Sequence, residues 1–205
     1  MSRVLLVRHG DIAADMSRYW GHTDVSLNDG GIRQAEQLAR RLAGEEIDLV
    51  YSSDLRRAMD TAAVIAGRHH LSVAPCPELR EINFGQCEGL TFDEMKDRYP
   101  QTEGIWTAHG QNIRFPGGES VRTLAGRVGT FVERLRREPC GTALVVAHGG
   151  SLRVLICCLT GLDLSAWREM HIERASLSII EMHGHAGKVL LINDVSHPGI
   201  GKVVR

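Results

Sequence analysis

The stretch that decides the fold is VLLVRHGD, residues 4–11. Four apolar residues run into an arginine, a histidine and a glycine. An unbroken run of valine and leucine is the pattern of a strand covered on both faces, so Arg3 to Arg8 reads as an interior strand. Such a strand belongs to a parallel sheet. A second copy of the theme supports this: TALVVAHGG, residues 142–150, is another apolar run that stops on histidine and glycine.

Between and around these runs, strand and helix signals alternate. NDGGIRQAEQLARRLAGEEI (28–47) carries Ile32, Ala35, Leu38, Ala39 and Leu42 at helical spacing, with Asn28–Asp29 as start signal and Gly44 as stop. IDLVYSS (47–53) is a buried strand. DLRRAMDTAAVIAGRHH (54–70) is a helix opened by Asp54, and LSVAPC (71–76) is a short strand. Thr91 with Glu94 three residues on forms a capping box for a short helix to Arg98. Residues 100–118 are irregular. A long amphipathic helix follows, its face set by Val121, Leu124, Val128, Phe131, Val132 and Leu135. SLRVLICCLTG (151–161) is a helix, and SLSIIEMHG and KVLLIND pair as a terminal hairpin across HGHAG. This order predicts an α/β fold: a three-layer sandwich whose mostly parallel central sheet is flanked by helices, in one domain over residues 1–205.

The bulk numbers exclude several classes. A net charge of −1 gives no general grip on nucleic acid or an anionic surface. No apolar run reaches spanning length, so no membrane partner is expected. The five cysteines are odd in number and show no CxxC spacing, and Cys157 and Cys158, in an apolar run, read as buried free thiols, which makes the cytoplasm the simplest compartment. No metal ligand set with suitable spacing is present, and HGH at 183–185 lacks partners, so neither metal nor cofactor is expected.

In open α/β sheets, ligands bind beyond the carboxyl ends of the strands. Three strand ends here are polar: Arg8–His9–Gly10, Asp54–Leu55–Arg56–Arg57, and His148–Gly149–Gly150. The third short strand leads to Glu78–Leu79–Arg80–Glu81. Histidines, arginines and a carboxylate meeting in one crevice make a set for phosphoryl chemistry: a nucleophile, cations for the oxygens and a proton donor.

Six ordered blocks carry a resemblance. They are LVRHG (6–10), GHTDVSLNDGGIRQA (21–35), SSDLRRAMDTA (52–62), ELREINFGQCEG (78–89), FPGGES (115–120) and VVAHGGSLR (145–153). With them the chain resembles the histidine phosphatase superfamily, also called phosphoglycerate mutase-like. The resemblance implies His9 as a nucleophile that becomes a transient phosphohistidine. It implies Arg8 and Arg57 as phosphate clamps, His148 as a stabiliser of the charged transition state, and Glu81 as general acid. The Gly149 N–H, at a helix start, is placed to meet an oxyanion. Glu78 and Glu88 compete with Glu81 by composition alone. Arg56 is assigned to solvent or an ion pair.

His22 is divided evenly between touching substrate and capping a turn, and Arg18, Tyr19 and Trp20 between lining the pocket and surface packing. His197 is expected to work structurally, and His69, His70, His183 and His185 to sit on exposed turns. Asp11 and Ile12 stand where many members have Glu and Thr, and Asp15 falls near a position that is often asparagine. The short span from Glu81 to His148 resembles the smaller phosphatase branch, closest to alpha-ribazole phosphatases. The expectation is a metal-independent phosphomonoester hydrolase acting on a small phosphorylated metabolite. Phosphoglycerate mutase activity and a non-catalytic phospholigand-binding member are the alternatives. Oligomeric state is open, the hairpin's outer edge being one contact for a homodimer.

Overall fold

Val4 to Val7 are buried on both sides, as an interior strand of a covered sheet requires. A computed structural model describes residues 2–107, 110–184 and 186–197. Its elements follow in the order β1 (Arg3–Arg8), α1 (Asp29–Arg41), β2 (Leu49–Ser52), α2 (Arg56–Arg68), β3 (Val73–Pro75), α3 (Phe92–Arg98), α4 (Val121–Arg137), β4 (Thr142–Ala147), α5 (Gly149–Thr160), β5 (Leu177–His183) and β6 (Ala186–Asp194). One sheet runs in the order β3-β2-β4-β1-β5-β6. The pairs from β3 to β1 are parallel, and the terminal hairpin joins antiparallel at β1.

Alternation along β1 divides the core. Leu5 and Val7 pack with Leu38, Ala39, Ala62 and Ile65 of α1 and α2. Val4 and Leu6 pack with Leu124, Val128, Phe131 and Leu155 of α4 and α5. Each of the valines, leucines, isoleucine and phenylalanine among them, fully buried, contributes about 1.5–3 kcal/mol. All six residues named for the face of α4 are buried. The capping box at Thr91 and Glu94 is formed. In the segment read as irregular, short 3₁₀ turns occupy Pro100–Trp106 and Gly110–Asn112.

Two local expectations are corrected. Ile32 is 45 % exposed, because the buried stripe of α1 is centred on Gly31, Ala35 and Leu38 and leaves Ile32 on its rim. Gly31 holds that central place because the chain after β1 lies against it: a Cβ there would stand 2.1 Å from the Asp11 carbonyl oxygen. Nor does Asp54 open α2. Its carboxylate takes a forked pair from Arg80, at 2.7 and 2.6 Å, and the Arg56 N–H donates instead to Asp24 at 2.8 Å. Among the described residues, no helix is long and apolar enough to cross a membrane.

Candidate active site

β1 and β4 are neighbours with Arg8 opposite Ala147, so the next residues, His9 and His148, leave the sheet side by side. Their ring centroids are 5.1 Å apart, with planes tilted by 59°. β2 lies on the other side of β4 and delivers Ser53 and then Arg57, on the first turn of α2. A cavity of ≈ 230 Å³ opens over these ends, lined by Arg8, His9, Arg57, Glu81, Gly149 and Gly150 among others.

His9 is 4 % exposed. Its Nδ1–H donates to the Gly10 carbonyl at 2.7 Å, which leaves the lone pair on Nε2. Burial, then the Arg8 and Arg57 guanidiniums, push its pKa well below the ordinary 6.5. The ring is therefore a neutral imidazole with one committed nitrogen and one nucleophilic nitrogen.

Arg8 is tied by Nη1 to the Ile172 carbonyl at 2.6 Å. Its buried Nε has no hydrogen-bond partner among the described residues. Burial and nearby Arg174 lower its pKa to about 10, so it stays a cation at neutral pH. Arg57 is 1 % exposed. Its Nε donates to His148 Nδ1 at 3.2 Å, Nη1 to the Thr23 carbonyl at 3.0 Å, and Nη2 to the Gly21 and Trp20 carbonyls at 2.7 and 3.3 Å. A guanidinium has five N–H bonds, so these four leave one for a ligand. Arg57 thus fastens the loop after β1 as well as facing the cavity. Arg56, one residue away, is exposed beside Asp60.

His148 does not reach the cavity surface. The ring is fully buried, accepts from Arg57 at Nδ1 and donates from Nε2 to Ser53 Oγ at 2.8 Å. Burial and the Arg57 charge hold it neutral, well below 6.5. Both of its ring nitrogens are committed, to Arg57 and Ser53, and its ring lies beside that of His9.

Glu81 is 9 % exposed and is held by backbone N–H groups. Oε2 accepts from Gly150 at 2.9 Å; Oε1 accepts from Ile82 at 2.9 Å and Ser151 at 3.2 Å. Two of these donors belong to the first turn of α5, where the helix dipole favours an anion. A Cβ at Gly150 would stand 2.4 Å from Glu81 Oε1, so any side chain there would displace the carboxylate.

The segment carrying Glu81 is braced by Arg127, for which sequence reasoning found no role, and by His22. Arg127 of α4 donates to the carbonyls of Glu78, Arg80 and Glu81 at 2.8, 2.7 and 2.7 Å, and pairs with Glu119 at 2.8 Å. His22 lies outside the cavity lining; its Nε2 donates to the Glu81 carbonyl at 3.0 Å, so it supports the acid's backbone rather than substrate. Glu88 is not a rival acid, since its carboxylate collects the N–H groups of Gly21, His22 and Thr23. Glu78 pairs with Arg134. Glu119 and Arg153 stand inside quoted motifs, so their positions, though not their tasks, were signalled.

The remaining candidates fall as follows. Arg18, Tyr19 and Trp20 line the cavity. Asp15 turns outward to Ser17 and Arg18. Asp11 accepts from Gln34 at 3.0 Å. His197 is buried, with Nε2 donating to the Ala175 carbonyl at 2.8 Å. Ala175 N–H in turn contacts the carbonyls of Arg8 and His9. His70 and His183 are exposed and His69 is half-buried; His185 lies outside the described residues. The five cysteines are free thiols.

Comparison with known proteins decides the family. The model of the histidine phosphatase superfamily, branch 1, matches residues 4–195. The chain belongs to that superfamily. It is a metal-independent phosphatase of the phosphoric monoester hydrolase class, and its fold is that of the phosphoglycerate mutase-like proteins. Phosphoserine phosphatase 1 of Hydrogenobacter thermophilus is 33 % identical, over 97 % of this chain and 95 % of that one. Phosphoglycerate mutase-like protein 4 of Arabidopsis thaliana is 37 % identical, over 75 % of this chain and 69 % of its own. Mycobacterial glucosyl-3-phosphoglycerate phosphatase superposes with a TM-score of 0.85 at 29 % identity, covering 94 % of this chain and 98 % of that one. The alpha-ribazole phosphatase of Shigella flexneri gives 0.82 at 28 %, covering 94 % and 96 %.

Proposed function

We propose that this histidine phosphatase hydrolyses small phosphomonoesters through a phosphohistidine on His9, with Glu81 as its proton donor and acceptor. The observation that carries the assignment is the His9 tautomer: Nδ1–H is committed to Gly10, and Nε2 is unprotonated beside two guanidiniums. Nε2 attacks phosphorus, and the bond from phosphorus to the ester oxygen breaks. Protonated Glu81 gives its proton to that oxygen, so a neutral alcohol leaves. Arg8 and the one uncommitted N–H of Arg57 take the equatorial oxygens. The Gly150 and Ser151 N–H groups go to Glu81, which leaves the Gly149 N–H for a phosphoryl oxygen. Water then gives a proton to Glu81 and attacks phosphorus. The P–N bond breaks, releasing phosphate and restoring both residues. His148 is a positioning residue for Arg57.

Among specific substrates, an alpha-ribazole phosphate is the candidate that the sequence favours, and the Shigella flexneri likeness supports it. The test is phosphate release from a panel of monoesters in EDTA, beside His9→Ala. Turnover that survives chelation and vanishes in the variant, with acid-labile phosphate trapped on the wild-type chain, is the expected result. Interconversion of phosphoglycerates faster than phosphate release would replace hydrolysis with mutase activity. Phosphate release unchanged in His9→Ala would end the assignment.

A further inference from the structure

We propose that the cavity beyond the phosphoryl site is a subsite for a planar aromatic leaving group, formed by Tyr19, Trp106 and Trp167 with Arg153 on its flank. This rests on the phosphatase reading above and names the alcohol half of the substrate. The chain is poor in aromatic residues, with three Trp, three Tyr and four Phe. Six of these ten line this cavity, including every tryptophan: Tyr19, Trp20, Phe84, Trp106, Phe115 and Trp167. They come from the loop after β1, the stretch from β3 to α4 and the 3₁₀ turn at Leu164–Glu169, so tertiary folding has brought them together.

The rings form a continuous wall. Trp167 and Trp106 have centroids 5.5 Å apart, Trp106 and Tyr19 6.2 Å with planes within 25°, and Tyr19 and Phe84 4.9 Å. Tyr19 and Trp106 are half-buried and so keep surface for a ligand. The buried Trp106 Nε1–H has no hydrogen-bond partner among the described residues, and an acceptor on the ligand would satisfy it. Arg153 lies with its guanidinium 6.0 Å over the Trp167 ring, and its buried Nε is likewise without a partner. A planar cation beside an aromatic wall admits a flat ring by stacking.

A carboxylated alcohol finds a poorer match. Arg18 is neutralised by Glu94 and Asp15, and Arg174 lies by Asp11. That leaves Arg153 and the loosely paired Arg174 for a carboxylate, against an apolar wall that desolvates it.

The test compares kcat/KM for 2-phenylethyl phosphate, ethyl phosphate and O-phosphoserine, all esters of aliphatic alcohols, so that leaving-group chemistry does not set the order. 2-Phenylethyl phosphate is expected to lead both others by about tenfold or more. Trp106→Leu lowers the ratio of phenylethyl to ethyl ester by about fivefold, whereas general damage to the fold would lower both rates alike. If that variant fails to fold, the intrinsic fluorescence of His9→Ala serves instead, since all three tryptophans border the site. 2-Phenylethyl phosphate should then bind at least tenfold tighter than O-phosphoserine. Equal rates, or a preference for O-phosphoserine carried by Arg153, would overturn this inference and leave the phosphatase reading intact. Absence of phosphate release from all three esters would overturn both.

Discussion

Gly150→Ala tests the acid without touching it. The new Cβ would lie 2.4 Å from Glu81 Oε1, where ordinary contact begins near 3.4 Å. The carboxylate must therefore retreat by about 1 Å, and a displacement of that size costs on the order of 10²-fold in rate. It cannot retreat freely, because Oε1 is held by Ile82 and Ser151 and Oε2 by Gly150 itself. Breaking one of these charge-assisted bonds costs about 1.5–3 kcal/mol, of the same order as that loss. The effect should depend on how much the leaving oxygen needs a proton. For an alkyl phosphate, kcat/KM falls about 10²-fold, the low end for general acid catalysis. For p-nitrophenyl phosphate, whose anion leaves unaided, it falls less than about tenfold. kcat/KM is the right quantity because it stops at the first irreversible step, before Glu81 activates water. Equal losses on the two esters, in a variant whose Tm matches the wild type, would refute the role given to Glu81. So would no loss on either.

Three further outcomes follow from the same geometry. Both histidines are held neutral in the fold, so the unfolded chain binds more protons below about pH 6.5. Stability is accordingly full above that pH and declines as pH falls toward the depressed folded values; the slope of Tm against pH between 5 and 6.5 should flatten in His148→Asn. Arg57→Lys strands the carbonyls of Gly21 and Thr23 and loses its fork, and urea denaturation should show a loss of about 1–3 kcal/mol together with lost activity. Arg127→Met releases three carbonyls around Glu81, and should lower kcat by tenfold or more at nearly unchanged KM, read in steady-state assays.

The legible part of this molecule was the part with a period. Val4–Val7, Thr142–Ala147 and the face of α4 announce themselves through runs and spacings, and sheet logic then places His9 and Arg57 at one edge. The braces had no period to read. Arg127 touches carbonyls, which every residue carries, and Glu88 collects N–H groups, so no side-chain pattern marks either. Asp54 satisfied the rule for a helix start but found Arg80, a better partner than its own backbone. Sequence leaves His22 divided between substrate and a turn, and gives His148 its role only through the resemblance; the partners of their ring nitrogens, the Glu81 carbonyl, Arg57 and Ser53, lie far away in the chain and carry no local signal. The aromatic wall was invisible because two of its tryptophans lie in segments without strand or regular helical pattern.

The neighbours of β1 have a consequence for how the chain comes into being. On both sides it is bordered by strands made much later, β4 and β5. During synthesis the nucleophile therefore emerges long before either partner strand, and its own strand waits, unpaired and apolar, through the 133 residues that separate Arg8 from Thr142. Long-range parallel pairing of this kind is slow and leaves sticky segments uncovered. A nascent chain halted before Thr142 would own His9, Arg57 and Glu81 and still lack the strand that aligns them, and its yield in the cell would rest on chaperone protection of β1.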